Sequence, residues 1–182
     1  MMHYNNITEK IPFEILSSEI GLKPASENDI EYIMAQEQSP ENNQYVSNWS
    51  KEEHLCTINS TTGKEFIIFD RKNNKAAGFV IILGLNSDDN NILIKRLVIT
   101  DKNKGFGRKT LELLKKWAFE NLHAHRLWLD VKEFNERAKH LYQSTGFILE
   151  GKMRESKKEP DGSYSSFYIL SILEDEYYSS KQ

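Results

Sequence analysis

Cysteine is almost absent from this chain, and its scarcity excludes one class of stabilising bond. Cys56 is the only cysteine among the 182 residues, so no disulfide can form within the chain. This composition suits a reducing compartment such as the cytosol. We expect Cys56 to be a small, buried, apolar residue.

The chain also lacks long apolar runs and an excess of positive charge. Its longest apolar stretch, residues 76–85, is about half as long as a membrane-spanning helix, and its β-branched residues favour a strand. The first residues have neither the basic segment nor the apolar core of a signal peptide. A net charge of -3 is unlike the basic surface of a general nucleic-acid binder. We therefore predict a soluble, cytoplasmic protein that binds neither nucleic acid nor membrane.

The length of the chain allows one substantial hydrophobic core but scarcely two. Residues 1–18 show no clear periodicity and are predicted to form an N-terminal arm. Residues 174–182 are polar and are predicted to form a C-terminal tail that frays. Between them, residues 19–173 are predicted to form a single domain.

Two capping signatures predict helices near the start of this domain. Ser26 and Ser50 are each followed three residues later by an acidic side chain, a pattern typical of a helix start. The first predicts a helix over about residues 27–38. The second predicts a short helix that ends near Ile58.

The remainder of the domain is predicted to consist of strands and two further helices. Periodicity and turn residues predict strands at residues 65–69, 77–85, 92–99, 125–131, 147–155 and 165–172, a helix of about four turns after Gly107, and a helix over residues 135–144. Such an order of elements is typical of the α/β class, in the mixed α+β sense.

A glycine-rich segment lies where a predicted strand gives way to a helix. Gly105 and Gly107 precede the helix, whose first amides could hold an anion. Two nucleotide motifs do not fit this segment. Thr110 stands where a dinucleotide-binding loop needs a small residue, and Arg108 interrupts the glycine-lysine pair of a phosphate-binding loop.

Basic side chains surround these glycines in an otherwise acidic protein, namely Lys102, Lys104, Arg108 and Lys109. They could assist in binding phosphate oxygens. A flexible, solvated basic turn with a glycine helix cap would account for the same residues. From these residues alone, both interpretations stay open.

Two blocks of the sequence resemble the GNAT N-acetyltransferase superfamily. Residues 102–107, which follow a strand, are similar to the acetyl-CoA signature (R/Q)-x-x-G-x-(G/A), with Lys102 in place of the usual arginine or glutamine. The second block, residues 129–151, is similar to L-x-V-x-x-x-N-x-x-A-x-x-L-Y-x-x-x-G-F-x-x-x-G. The overall pattern resembles the branch that includes ribosomal-protein N-terminal and polyamine acetyltransferases.

The resemblance implies a GNAT fold with acetyl-CoA bound in the sheet. The expected fold is a single domain with a twisted mixed β-sheet of about seven strands, splayed between the fourth and fifth and flanked by about four helices. The cofactor would lie in that opening, and the Val98 amide would serve as an oxyanion donor. The residues implied in cofactor binding are Leu97, Val98, Ile99, Lys102, Asn103, Lys104, Gly105, Phe106, Gly107, Arg108, Lys109, Asn135, Ala138 and Tyr142.

Tyr142 is the residue that the resemblance implies for proton transfer. As a general acid it would protonate the departing thiolate of coenzyme A. A ring packed in the core with its hydroxyl at the surface is the alternative, and the commoner fate of tyrosines. Asn135 is predicted to cap a helix, to contact the cofactor, or to do both.

The amine acceptor is less constrained by the sequence. Glu37, Tyr45, Trp49 and Asp130 are predicted to lie near it, and Glu37, His54 or Asp130 could act as a base. For these three a surface or capping role is the commoner one, and Tyr45 and Trp49 could equally be packing residues. The histidines lack the spacing of metal ligands, so no metal is predicted.

The resemblance implies an acyltransferase that moves the acetyl group of acetyl-CoA to a primary amine by direct attack in a ternary complex. The amine would belong to a protein N-terminus, a polyamine or another small molecule. A non-catalytic acyl-CoA-binding or regulatory module is the alternative, and a phosphate or nucleotide binder is a third hypothesis. Homodimers are common in this family, although the sequence does not determine the oligomeric state.

Overall fold

A computed structural model describes residues 14–181 of the chain. Its strands are β1 (Ile15–Leu16), β2 (Ile20–Pro24), β3 (Gly63–Asp70), β4 (Lys75–Leu83), β5 (Asn91–Ile99), β6 (Arg126–Lys132), β7 (Ile148–Lys158) and β8 (Tyr164–Leu173). Its helices are α1 (Ile30–Gln38), α2 (Lys51–Ile58), α3 (Phe106–Lys116), α4 (Glu136–Ser144) and α5 (Glu174–Ser179), with a short 3₁₀ turn before α1 and a π turn after α3.

Local capping explains where the first two helices begin. The Ser26 amide donates to the Asp29 carboxylate at 2.9 Å, just before the 3₁₀ turn that leads into α1. At α2, the Ser50 hydroxyl accepts from the Glu53 amide at 3.2 Å, and the Ser50 amide donates to the Glu53 carboxylate at 2.7 Å. Reciprocal bonds of this kind satisfy amides that a helix start leaves without partners. The capping predictions at both helices are confirmed.

The strands form one mixed sheet with the order β1-β2-β3-β4-β5-β6-β8-β7. Neighbours are antiparallel except β5 and β6, which are parallel and pair from Asn91 with Arg126 to Leu93 with Trp128. Beyond Leu93 the described residues of β5 and β6 do not pair, so the strands separate. The predicted fold and its splay are confirmed. The short strand β1, predicted as part of an arm, raises the number of strands from about seven to eight within residues 14–181.

A β-bulge in β5 lies next to the point where the strands separate. Ile81 pairs with Arg96 and Ile82 pairs with Ile94, which leaves Lys95 as the extra residue. A bulge bends its strand and increases the local twist. It also reverses the alternation of side chains between the two faces, because alternation has a period of two.

The two faces of the sheet carry separate apolar clusters. The α3-side core is the larger and includes Leu111, Trp117, Leu127, Leu129, Val131 and Leu170. The α1-side core includes Ile33, Ile67, Phe79, Ile81 and Val98. Ile94 belongs to the first and Val98 to the second, although they are four positions apart and a regular strand would place them on the same face, as the bulge explains.

The end of the described chain differs from its prediction. Residues 174–182 were expected to fray, but α5 forms and packs on the π turn after α3. The Tyr177 ring stacks on Phe119 with centroids 4.7 Å apart, and its hydroxyl donates to Glu120 at 2.8 Å. The fraying prediction is therefore wrong for α5, because buried aromatic area outweighs the polar residues around it.

The surroundings of Cys56 also differ from their prediction. Cys56 is exposed on α2, whereas His54 and Thr57 are the buried residues of that helix. The prediction that Cys56 is buried is wrong, because the helical period turns it away from the core. Among the described residues, no helix is long and apolar enough to span a membrane.

Candidate functional site

A cleft of about 670 Å³ opens where β5 and β6 separate. Residues 94–99 of β5 form one wall, and residues 130–132 of β6 form part of the other. Since β5 pairs with β4 along its other edge, its cleft edge offers backbone donors and acceptors without a strand partner. An extended ligand with amide groups could bind there as an added strand would.

The glycine segment forms one end of this cleft. Gly105 adopts a left-handed conformation with φ of 73° directly before α3, and no side chain caps the helix. The amides of the first turn of α3 are therefore free to bind an anion. A Cβ atom at Gly107 would lie 3.0 Å from Leu141 Cδ2, so a larger residue would crowd the packing of α3 against α4.

The four basic side chains of this segment have partners within the protein. Lys102 pairs with Glu41, Lys104 with Asp101, and Lys109 with Glu19. Arg108 donates to the Ser144 carbonyl and hydroxyl at 2.8 and 2.7 Å. Lys102 and Arg108 line the cleft, whereas Lys104 and Lys109 do not. The structure therefore brings two of the four predicted cations to the cleft.

The other predicted cofactor residues come together at the cleft. Its lining includes Leu97, Val98, Ile99, Asn103, Gly105, Phe106, Gly107, Asn135, Ala138 and Tyr142. Asn135 caps α4, with its side-chain oxygen accepting from the Ala138 amide at 3.2 Å. The capping prediction for Asn135 is confirmed.

Tyr142 lies on α4 and presents its side chain to the cleft from the α3-side core. The residue is 8% exposed, and its hydroxyl makes no hydrogen bond to another residue in the described part of the chain. Burial raises the pKa of Tyr142, and the negative charge of Asp130 raises it further. The hydroxyl is therefore protonated at neutral pH and free to donate.

Glu37, predicted near the acceptor, and His54, a candidate base, belong instead to a buried ionic cluster with Glu65 and Arg96. His54 Nδ1 lies 2.9 and 3.0 Å from the Glu65 carboxylate oxygens, and Nε2 lies 3.5 Å from Glu37 Oε2. Glu37 also pairs with Arg96 and accepts from the Trp49 amide at 3.0 Å. A surface role for Glu37 and His54 is therefore wrong, as two acids and two bases neutralise each other in the interior.

This ionic cluster lies behind the β5 wall of the site. Arg96 is its one member that lines the cleft; Glu37, His54 and Glu65 lie behind it. The Arg96 guanidinium sits 4.6 Å from the centre of the Trp49 ring, and Trp49 is outside the cleft lining. Direct contact of Glu37, His54 or Trp49 with a ligand is therefore not supported by their positions. Sequence patterns missed Arg96 because its buried partner lies 59 positions away along the chain.

The pKa of His54 gives the folded protein a pH dependence. Burial lowers this pKa, but the Glu37 and Glu65 carboxylates raise it by more, to about 9. The protonated form is favoured by folding, so its stabilising contribution is fully present below the unfolded pKa of about 6.5 and is lost as the pH rises through about 9. We expect the free energy of unfolding, measured in urea, to fall across this window.

The variant His54→Gln is the control for that pH dependence. Its neutral side chain cannot titrate, so its free energy of unfolding should change less than that of the wild type between about pH 6.5 and 9. Equal pH dependence in the two proteins would contradict a charged His54 in the cluster.

The opposite end of the cleft contains Tyr45 and Asp130, as predicted, together with lysines that the sequence did not single out. Tyr45 packs against Phe134 with ring centroids 5.9 Å apart. Lys132 and Lys157 also line this end. Strand register places them there, because Lys132 pairs with Phe167 and Lys157 pairs with Ser165 on β8.

Comparison with known proteins bears on these observations. Residues 31–147 match the sequence pattern of the Acetyltransferase (GNAT) family. The spermidine N(1)-acetyltransferase of Vibrio cholerae serotype O1 is 24% identical over 173 residues, which cover 89% of this chain and 97% of that relative.

Solved structures share the fold. A dodecameric structure of spermidine N-acetyltransferase from Vibrio cholerae has a TM-score of 0.76 at 22% identity, over 91% of this chain and 100% of the other. A Vibrio cholerae spermidine/spermine N-acetyltransferase in complex with manganese ions has a TM-score of 0.75 at 22% identity, over 91% and 98%. Because the family pattern spans more than half of the chain, the chain belongs to the GNAT acetyltransferase family.

Proposed function

We propose that this acetyl-CoA-dependent N-acetyltransferase acts on a small primary amine, with Tyr142 as the general acid. One observation carries the proposal. The unpaired edge of β5 runs beside a protonated tyrosine, in a cleft that also contains the uncapped start of α3. An extended thioester with an anionic end fits such a cleft.

The residues present fit the pyrophosphate and the pantetheine arm of acetyl-CoA. The first-turn amides of α3 suit a pyrophosphate, because no side chain caps them. Lys102 and Arg108 line the same end and could exchange their present partners for phosphate oxygens. The backbone of residues 97–99 would pair with the pantetheine amides.

A backbone amide of β5 is the proposed donor to the thioester carbonyl oxygen. The Thr100 amide donates to the Ala77 carbonyl next to β4, and Val98, two residues earlier and paired with Phe79 of β4, directs its amide to the same edge. Leu97, one residue away, directs its amide to the cleft instead and takes the role predicted for Val98. A backbone donor fixed by the sheet needs no reorganisation when negative charge develops on an oxygen. The side chain of Val98 packs in the α1-side core and only holds the strand in place.

The reaction requires one proton to leave the amine and one to reach the sulfur. Acetyl-CoA supplies the thioester, in which the C–S bond breaks as the amine nitrogen forms the C–N bond of the product amide. The Tyr142 hydroxyl is the proposed source of the proton on sulfur, and its raised pKa keeps that proton in place until charge builds on the thiolate.

Asp130 is proposed to attract the acceptor as an ammonium ion. It lines the cleft and has no ion-pair partner among residues 14–181. The amine must then lose a proton, which at pH 7 costs about 1.4 kcal/mol for an α-amine of pKa near 8 and about 4.6 kcal/mol for a lysine-like amine near 10.4. Water can carry that proton away. That the reaction needs no metal stays a prediction.

The acceptor class named for the Vibrio cholerae relatives is a polyamine. Spermidine is therefore the reference acceptor, and peptides with free N-termini and other small amines complete the set to be compared. Self-association of the chain, predicted from family resemblance, also stays a prediction.

The test is a thiol-release assay with acetyl-CoA and this set of amines, with coenzyme A binding measured by calorimetry. We expect thiol release that depends on the amine. Binding of coenzyme A without release in the presence of any amine would instead support the non-catalytic acyl-CoA-binding module. Tighter binding of ATP or NAD than of coenzyme A would contradict the cofactor assignment.

A further inference from the structure

The acceptor end of the cleft lies on the face of β6 opposite Tyr142. Leu127, Leu129 and Val131 point into the α3-side core, which also holds Tyr142. Side chains alternate along a strand, so Asp130 and Lys132 point to the other face. The thioester would therefore lie between Tyr142 on one face of the sheet and the amine on the other face.

Lysine side chains dominate the charge on this acceptor face. Lys132 Nζ lies 2.6 Å from one oxygen of Glu159, and Lys157 Nζ lies 3.6 Å from the other. Lys157 also donates to the Ser47 hydroxyl. Two lysines thus share a single carboxylate, and Glu159 itself is not part of the cleft lining. A surplus positive charge faces the ligand.

Carboxylates in the lining offer little to balance that surplus. Glu41 and Asp101 line the cleft, but each already pairs with a lysine of the glycine segment. Asp130 is the one lining carboxylate without an ion-pair partner within residues 14–181. A polyamine carries several ammonium groups, and each one beyond the first would lack a free carboxylate and face a lysine instead.

We infer that the acceptor is a primary amine that also carries a carboxylate group. Its ammonium group binds at Asp130, and its carboxylate binds at Lys157 and the Ser47 hydroxyl. The inference rests on the proposed function and narrows its acceptor class. Asp130 and Lys132 are two residues apart on one strand, about 6.6 Å at about 3.3 Å per residue, and Lys157 shares the Glu159 carboxylate with Lys132. An amine and a carboxylate a few carbons apart therefore match the separation of Asp130 from these two lysines.

Apolar side chains flank the two charged groups. Phe167 and Met153 lie in the same cross-strand row as Lys132, and Tyr45 lies on the facing loop. These surfaces suit a methylene chain between the amine and the carboxylate. An ω-amino acid is the simplest compound with all three features.

The experiment compares acceptors matched in length, namely 4-aminobutyrate with 1,4-diaminobutane and 5-aminopentanoate with 1,5-diaminopentane, with spermidine as reference. The readout is kcat/KM for thiol release. We expect each amino acid to exceed its matched diamine by about tenfold or more, the effect of one charged contact worth about 1.4 kcal/mol.

Lys157→Gln tests the residue that carries the preference. We expect it to raise KM for the amino acids by about tenfold with little change in kcat, since Lys157 binds the acceptor away from the reacting atoms. The kcat/KM values for the diamines should stay the same or rise. Lys158→Gln is the matched control, because Lys158 is exposed and outside the cleft lining. It should change neither KM for the amino acids nor kcat/KM for the diamines.

Each other outcome is decisive. A wild-type preference for spermidine or the diamines would overturn the inference while leaving the proposed function intact. Equal changes in KM for the amino acids in Lys157→Gln and Lys158→Gln would also overturn the inference and leave the proposed function intact. No thiol release with any amine, despite coenzyme A binding, would overturn the proposed function and this inference with it.

Discussion

Replacing Tyr142 by phenylalanine should lower kcat by about 10²–10⁴-fold, the usual contribution of a general acid. The substitution removes one hydroxyl that has no hydrogen-bond partner among the described residues, and it keeps the ring that packs near Phe147, with centroids 6.1 Å apart. Coenzyme A affinity, measured by calorimetry, should therefore stay within about twofold. Loss of turnover without loss of binding is the signature of a residue that acts on the reacting atoms.

Tyr168→Phe provides the matched control. Tyr168 lies on β8 outside the cleft lining, beside Lys139, whose Nζ is 5.0 Å from its ring centre. The same loss of a hydroxyl there should leave kcat unchanged. If Tyr142→Phe turns over as fast as Tyr168→Phe, Tyr142 has no part in proton transfer.

Replacing Glu37 by glutamine should reduce the free energy of unfolding by about 3–5 kcal/mol, because it leaves the buried Arg96 guanidinium without its charged partner. The amide keeps the size of the carboxylate and can still accept from the Trp49 amide, so the loss reflects charge more than packing. Urea unfolding at neutral pH measures it.

Glu31→Gln makes the same chemical change on the exposed side of α1 and should alter stability by less than about 0.5 kcal/mol. If Glu37→Gln costs no more than Glu31→Gln, the buried cluster does not depend on its charges. A fall in the pKa of His54 in Glu37→Gln, followed by NMR titration, would separate the loss of one carboxylate from general unfolding.

Sequence patterns predicted the elements whose causes are local. Ser26 and Ser50 determine helix starts through bonds three residues away, and such bonds are visible as spacing. The two family blocks supply much of the cleft lining for the same reason, since one runs from just after β5 into α3 and the other spans the end of β6 and the start of α4.

Long-range pairing explains what the sequence did not predict. Strand β1 exists because Ile15 and Leu16 pair with β2, and two residues carry no periodicity of their own. The burial of Glu37 and His54 depends on partners contributed by β3 and β5. α5 packs on the turn after α3 because the Tyr177 ring stacks on the Phe119 ring. None of these contacts is marked by the residues next to it in the chain.

The bulge at Lys95 affects how this domain must be aligned with the sequences of its relatives. In a sequence alignment, a misplaced one-residue gap in β5 assigns the residues beyond it to the opposite face of the sheet. Leu97 and Val98 would then be compared with residues of the wrong face. Homologues that lack the extra residue would keep one uninterrupted alternation of side chains along this strand. Alignments of distant members should therefore be anchored on the bulge before any residue of this strand is assigned a role.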